Sequence, residues 1–474
     1  MAQNTVSSSG APAFVVFFGN RSFFPASLIK SAREDMARVL KEEGYGCLML
    51  EESATRAGGV ETAEEAEKFA RFLTANAGKF HGVILCLPNF GDENGASLAL
   101  RDAGVPILIQ AYPDEMDKMS PALRRDSFCG KLSVMDVFKQ YGIRFTNSFP
   151  HTAHPLSKEF RASLRSFAKT CLVVKGMRRL SIGAIGARTT PFKTVRYDEL
   201  AMQKHGITVE TMDLSDVFQR LDTVDTSSAA FKKKRSRLSG ISDWADAPGA
   251  ALDNLSRLGV VLDQIVAEFG LGAMALRCWT ELQQKYGVSP CLVTGDLAEF
   301  GIPVACEVDV ANAAAMYALG AASGEPTTIL DWNNNYGDDL NKCILFHCGN
   351  VPERLMVKKG IIADHAILAN SIGIGKGFGC NQGRIKPMEF TYASMTTVEG
   401  KLDFYIGKAR MTEDPIPNDF FGCAGVAQFA DLQRVLRWIG ERGHRHHVSI
   451  TPGDHVEALR EAFAVYLGYS VAVV

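Results

Sequence analysis

From residue 12 onward, short apolar runs alternate with stretches whose apolar positions recur at helical spacing. Residues 14–18 (Phe-Val-Val-Phe-Phe) predict a buried strand, closed by the turn Gly19-Asn20-Arg21. Residues 25–43 place Leu28, Ala32, Met36, Val39 and Leu40 on one face, which predicts an amphipathic helix. Further strands are predicted at 47–50, 82–86 and 106–110, with helices over 62–77 and 95–103 between them. Strands alternating with helices imply right-handed βαβ units and a parallel sheet covered on both faces. The pattern breaks at Pro150, His151, His154 and Pro155, and a helix over 155–169 leads onward.

A second alternating region starts at the strand 180–185. It continues through a helix over 192–204, a strand at 208–212 and a strongly periodic helix over 253–268. Three apolar runs follow, at 303–306, 327–330 and 343–346. Beyond residue 349 the texture changes to short β-rich pieces (388–394, 401–406) separated by Gly and charge. No clear helix is predicted across 355–411, and one closes the chain at 456–466. The pattern predicts an α/β protein: two doubly wound parallel-sheet domains, 1–170 and 171–349, then a mainly β C-terminal domain, 350–474.

Composition narrows the function classes. A chain of 474 residues is too long for one core, and 46% hydrophobic with 22% charged residues is ordinary for a globular protein. With 51 basic against 53 acidic residues, the net charge of −2 speaks against a nucleic-acid partner. The run Lys232-Lys233-Lys234-Arg235 lies among serines and reads as a solvated face. The polar N-terminus predicts no export signal, and no apolar run approaches the roughly 20 residues that span a bilayer. Eleven dispersed cysteines without a C-x-x-C pair read as reduced thiols, which predicts a cytoplasmic protein with no membrane partner.

Two glycine-rich stretches invite a nucleotide reading and do not support it. In residues 373–379 the Lys376 is followed by Gly377 rather than Ser or Thr, and no helical pattern follows. Gly183 to Ala187 lacks the three-glycine dinucleotide spacing. A stronger signal is that Glu307, Asp331 and His347 each end an apolar run, which would bring three metal-competent groups to one rim of a sheet. The segment His444-Arg445-His446-His447, with His455 nearby, holds four of the ten histidines and is a natural source of an imidazole ligand. Glu307 and Asp331 would thus lie in the second domain, and the ligand His in the third.

With these residues in view, the chain resembles the L-fucose/L-arabinose isomerase superfamily, on its fucose isomerase-like branch, over essentially its whole length. Gly19 to Pro25 is similar to the family's first strand and turn, and Leu180 to Arg188 to the start of its second domain. The most specific match is VACEVDVANA, in which Glu307 falls on the family's metal-binding Glu. Asp331 stands at the family's spacing of 24 residues. The family's H-x-x-x-x-x-G segment selects His447, with Gly453, over His446. Two departures stand out: Asp454 follows that glycine where fucose isomerases have His, and the chain is shorter than the bacterial enzymes. His347 resembles a ligand of the arabinose isomerase branch that the fucose-type pattern does not use. It is therefore expected as a supporting or substrate contact.

The resemblance implies a metal-dependent aldose–ketose isomerase, an intramolecular oxidoreductase working through an enediol, with Glu307 and Asp331 as candidate bases. Two carboxylates and one imidazole form a hard donor set that favours Mn²⁺, other divalent cations being alternatives. The resemblance also implies a homo-oligomer, often a hexamer, with Arg21 in contact with the sugar. A neutral deoxyhexose or pentose is the default substrate. The cations Lys376, Arg384 and Lys386 around the glycine loop suggest an anionic sugar such as sulfoquinovose or a sugar phosphate as the alternative. A non-enzymatic sugar-binding protein is the third reading.

Overall fold

The computed structural model describes residues 11–474 apart from Ala26, Thr190, Ala245 and Asp246. The first ten residues, read above as lacking an export signal, lie outside the described residues. The chain divides into two compact units, one running to Lys175 and completed by Glu461–Gly468, the other comprising Gly176–Arg460 and Tyr469–Val474. Among the described residues no helix is long and apolar enough to cross a membrane.

The first unit is built on a parallel sheet in the order Gly46–Met49, Ala13–Phe18, Gly82–Leu87, Ile107–Ala111, Thr146–Asn147. Alternation along the strand Ala13–Phe18 decides what each face buries. Phe14, Val16 and Phe18 pack with Met36, Phe160 and Leu164, while Val15 and Phe17 pack with Phe69 and Phe138. The first helix runs Ser27–Glu42, and its buried stripe is Ile29, Ala32, Met36, Val39 and Leu40. Ile29 replaces the expected Leu28, because the helix is phased one position later at its start. Within the same unit, the Tyr466 hydroxyl donates to the Ile107 carbonyl at 3.1 Å and so anchors Glu461–Gly468.

The larger unit holds a second parallel sheet in the order Val304–Cys306, Ala273–Leu276, Ser181–Ile185, Thr208–Met212. Leu255, Leu258, Leu262 and Met274 belong to its core. The helix expected over 192–204 is only Glu199–Lys204. Asp198 caps it by accepting from the Ala201 N–H at 3.0 Å, and the preceding stretch remains a loop with one 3-10 turn, Lys193–Val195.

A mainly β part completes this unit. Among the described residues its sheet has ten strands, and six of them close on themselves because Lys401–Met411 pairs with both Met388–Val398 and Cys423–Gln428. The result is a small barrel filled by Leu330, Leu345, Phe390, Tyr392 and Tyr405. Two helices here were not anticipated: Ala366–Ile372 and the amphipathic Leu432–Arg442. A further difference bears on the site. Asp331 does not end a parallel strand but lies within Thr328–Tyr336, half of an antiparallel hairpin with Asp339–His347. The polar stretch 333–335, three exposed asparagines, hid the strand's continuation.

Candidate metal and substrate site

Glu307 sits just beyond the strand Val304–Cys306, at the C-terminal rim of the four-stranded parallel sheet. Glu307 and Val308 both adopt left-handed backbone, with φ of 54° and 61°. Such a conformation is costly for any side chain, and more so for a β-branched one. It is held by the Val308 N–H donating to Leu276 O (3.3 Å) and the Asp309 N–H to Cys306 O (3.0 Å). Asp309 then caps the helix Val310–Ser323 by accepting from the Asn312 N–H at 3.1 Å.

The other two groups come from the barrel. Asp331 and His447 are directly opposed in the antiparallel ladder between Thr328–Tyr336 and His447–Pro452, so their side chains rise on one face. His447 Nε2 lies 3.5 Å from Glu307 Oε2 and 3.4 Å from Asp331 Oδ1. Those two carboxylate oxygens are buried and have no hydrogen-bond partner. His447 belongs to two sets of possible ligands whose atoms lie within 4.8 Å of one another, Glu307–His347–His447 and Asp331–His446–His447, so a cation held by Glu307, Asp331 and His447 together would draw the two bare oxygens closer to each other.

Asp309, whose role the sequence reading missed, fixes the imidazole. Its Oδ2 accepts a hydrogen bond from His447 Nδ1–H at 2.8 Å, which leaves Nε2 to point at the two bare oxygens. The same carboxylate accepts from Asn312 Nδ2 at 2.7 Å and from the buried guanidinium of Arg445. Burial would raise the Asp309 carboxyl, but Arg445 and His447 outweigh it and bring it to about 2. For His447, burial acts downward, while Asp309 above all, then Asp331 and Glu307, lift it to about 9. A proton thus occupies the place where a cation would compensate the carboxylates.

Glu307 divides its oxygens. Oε1 accepts from the Trp279 indole N–H at 3.3 Å and faces the Cys278 thiol at 3.4 Å, leaving Oε2 to the histidines. Burial opposes its ionisation, yet the charges of His347 and His447 prevail and hold its carboxyl at about 2. His347 Nε2 stands 3.6 Å from Oε2. Its Nδ1 accepts the Cys348 N–H at 2.9 Å, so in the neutral ring the proton belongs on Nε2. His347 is therefore arranged as a donor toward Glu307, whereas His447 is arranged as a ligand. His446 is half-exposed at the rim, 3.6 Å from Asp331 Oδ1 and edge-on to Phe192.

The other residues expected to contact the sugar are placed as follows. Arg21 belongs to the first unit, where it pairs with Asp92 and Glu93, donates to Gly91 O at 2.8 Å and stacks over Phe90. Lys376 is exposed on the glycine loop, whose Gly375 and Gly377 N–H groups both donate to the Asp364 carboxylate, at 2.6 and 2.8 Å. Arg384 donates to the carbonyls of Gly383 and Pro417. Of the residues singled out from sequence, the structure brings together Glu307, Asp331, His347 and His447. It adds Asp309, Arg445, Trp279 and Cys278.

Residues 15–178 match the family model of the fucose/sulfoquinovose isomerase N-terminal domain, and residues 345–474 that of the L-fucose isomerase C-terminal domain. Similar curated proteins are sulfoquinovose isomerases. That of Alkalicoccus urumqiensis is 22% identical over 78% of this chain and 81% of its own. That of Priestia aryabhattai is 21% identical over 85% and 87%. A third, from Clostridium sp. (strain MSTE9), is 24% identical over 70% and 73%. Glu307 and Asp331 fall between the two matched stretches, and His347 and His447 fall within the second.

Proposed function

Because the chain belongs to the L-fucose/L-arabinose isomerase superfamily, on its fucose isomerase-like branch, and is an aldose–ketose isomerase, we propose that it converts an anionic aldose of the sulfoquinovose type into its 2-ketose with the aid of a divalent cation. The observation that carries the cation is the pair of buried, unpartnered oxygens of Glu307 and Asp331 beside His447 Nε2. Glu307, Asp331 and His447 would hold it, and a hard, oxygen-rich set with one imidazole suits Mn²⁺ better than a tetrahedral Zn²⁺. When bound, the cation supplies the electrophile that stabilises charge on the sugar's carbonyl oxygen.

The chain's own residues supply proton transfer and order. Glu307 is ionised near neutral pH, and its Oε1 is pinned by Trp279, so one oxygen is fixed while the other faces the reaction space. One of Glu307 and Asp331 takes the proton from one of C1 and C2, and the other, whose proton exchanges with solvent, delivers one to the neighbouring carbon through an enediol. Asp309 and Arg445 keep His447 in the tautomer that presents Nε2. His347 steadies Glu307 from the other side.

The anionic substrate rests on the sulfoquinovose isomerases that the chain is similar to along most of its length. Eleven free cysteines support a reducing, cytoplasmic setting. Exposed Phe23, Met116, Phe128 and Phe149 on the first unit support self-association. The test is turnover on neutral, phosphorylated and sulfonated aldoses after chelation and after restoring Mn²⁺, Mg²⁺ or Zn²⁺. The proposal expects activity on the sulfonated aldose that chelation removes and Mn²⁺ restores. Turnover of neutral sugars alone, or full turnover after exhaustive chelation, overturns it.

A further inference from the structure

The strand Ser181–Ile185 lies where the four-stranded sheet changes direction, with the next strand in sequence on one side and Ala273–Leu276 on the other. Such a switch point leaves a crevice beyond the C-terminal strand ends. A cavity of about 310 Å³ opens there, walled by Gly186, Arg188, Arg196, Tyr197, Thr211 and Val308. Its described lining carries two guanidinium groups and a phenol, and no carboxylate. Arg196 gives its Nε–H to Lys193 O at 2.8 Å, and among the described residues no carboxylate pairs with it. Its remaining N–H donors are available to a ligand.

Three pieces of chain join this cavity to the Glu307 cluster. Val308 in the wall directly follows Glu307 in the same left-handed turn at the rim of the sheet. The Arg196 carbonyl accepts from Arg445 Nη2 at 3.2 Å, and Arg445 holds the Asp309 carboxylate that orients His447. Phe192, in the loop that also carries Arg188 and Arg196, stands edge-on to Trp279 at 5.4 Å. The rival location, the glycine loop, already encloses the Asp364 carboxylate.

Resting on the anionic-sugar reading above, we infer that this cavity receives the tetrahedral oxyanion at the far end of the substrate, a sulfonate or a phosphate, with Arg196 and Arg188 as specificity-determining contacts. A guanidinium fork matches two oxygens of such a group with parallel N–H···O bonds, and it offers nothing comparable to a methyl or hydroxymethyl terminus. The reacting carbons C1 and C2 then lie at Glu307 and Asp331, and the charge is read at the other end of the sugar.

The test is steady-state kinetics of the full Mn²⁺-loaded chain on sulfoquinovose, its 6-phosphate counterpart and the neutral 6-deoxy counterpart, the last scored as substrate or inhibitor. The variants are Arg196→Gln, Arg188→Gln, Arg196→Lys and Lys376→Gln. The expected result is a rise in KM for the preferred anionic sugar of roughly ten- to a hundredfold in the Gln variants. That rise should exceed the change for the neutral sugar by about tenfold, and Arg196→Lys should recover part of it. Comparing sulfonate with phosphate in the same variants identifies which oxyanion the cavity takes. Equal losses on charged and neutral sugars, no loss in either Gln variant, or a loss confined to Lys376→Gln overturns the inference while the anionic reading stands. A native chain that turns over only neutral sugars overturns both.

Discussion

Asp309→Asn isolates the part of the site that no single segment of sequence displays. In the native chain the Asp309 carboxylate accepts from His447 Nδ1, Arg445 and Asn312, all buried. An amide in its place must set an NH₂ against one of these donors. If the NH₂ faces His447, the imidazole moves its proton to Nε2 and the lone pair offered to a cation is lost. In either orientation the buried guanidinium of Arg445 loses its counter-charge, which costs about 3–5 kcal/mol when a buried pair is broken, and if the NH₂ faces Arg445 two donors also meet. Loss of a carboxylate behind a ligating histidine typically weakens metal binding or activity ten- to a hundredfold, about 1.4–2.7 kcal/mol. The assay is Mn²⁺ titration of the chelated protein followed by tryptophan fluorescence, together with kcat at saturating Mn²⁺ and a denaturation midpoint. The double variant Asp309→Asn/Arg445→Met separates the two roles. It should regain much of the stability, because no unpaired guanidinium remains, yet still bind Mn²⁺ weakly. Native Mn²⁺ affinity in Asp309→Asn, or affinity restored by the second substitution, would refute the claim that Asp309 sets the tautomer of His447.

Glu307→Gln keeps the shape of the side chain and its Trp279 contact but removes the base and a ligand charge, so turnover should fall by about three orders of magnitude or more, with an unchanged circular dichroism spectrum. Val308→Gly loses buried side chain worth about 2 kcal/mol and releases left-handed strain of about 1–3 kcal/mol. Its urea midpoint should therefore stay near native, and a loss of more than about 3 kcal/mol contradicts the strain argument. Burial lowers Lys131 in the first unit from its ordinary 10.5 to about 7. Between those values the unfolded chain keeps a proton that the folded one has released, so the first unit's stability should rise with pH from about 7 to 10.5. The slope is up to about 1.4 kcal/mol per pH unit, and the full cost remains below pH 7. Lys131→Met should flatten the slope measured by denaturation at successive pH values; an unchanged slope assigns the dependence to other groups.

How much of this was legible in the sequence follows from how local each feature is. The central strands of the parallel sheets could be read because a strand buried on both faces is a continuous apolar run, as in 14–18 and Ser181–Ile185, whereas Thr146–Asn147 and Ala273–Leu276 were not singled out. The helix over 192–204 was overcalled because periodicity does not register that Pro191 and Asp198 divide the stretch into a loop and a short capped helix. Asp331 was read as the end of a short apolar run, but it sits within a hairpin strand whose three exposed asparagines, 333–335, masked its length. Its partner across the ladder, His447, comes from a distant strand. Asp309 stood in plain view two residues after Glu307, but its partner His447 lies 138 residues away, a pairing that spacing cannot reveal. Arg445 was read only as part of a histidine-rich segment. The signal for both was an acid and a base of matching character near the two ends of the expected ligand set.

The central claim is that Glu307 and Asp331 move a proton between C1 and C2 of an aldose at this site. Proton NMR of the reaction in D₂O tests it most directly, with Mn²⁺ chelated before the product is observed. The account predicts ketose bearing solvent deuterium at C1 from the native chain, and neither ketose nor exchange from Glu307→Gln. Ketose formed with no deuterium at C1 at early conversion would contradict proton transfer through these carboxylates, and undiminished turnover by Glu307→Gln would contradict the site itself.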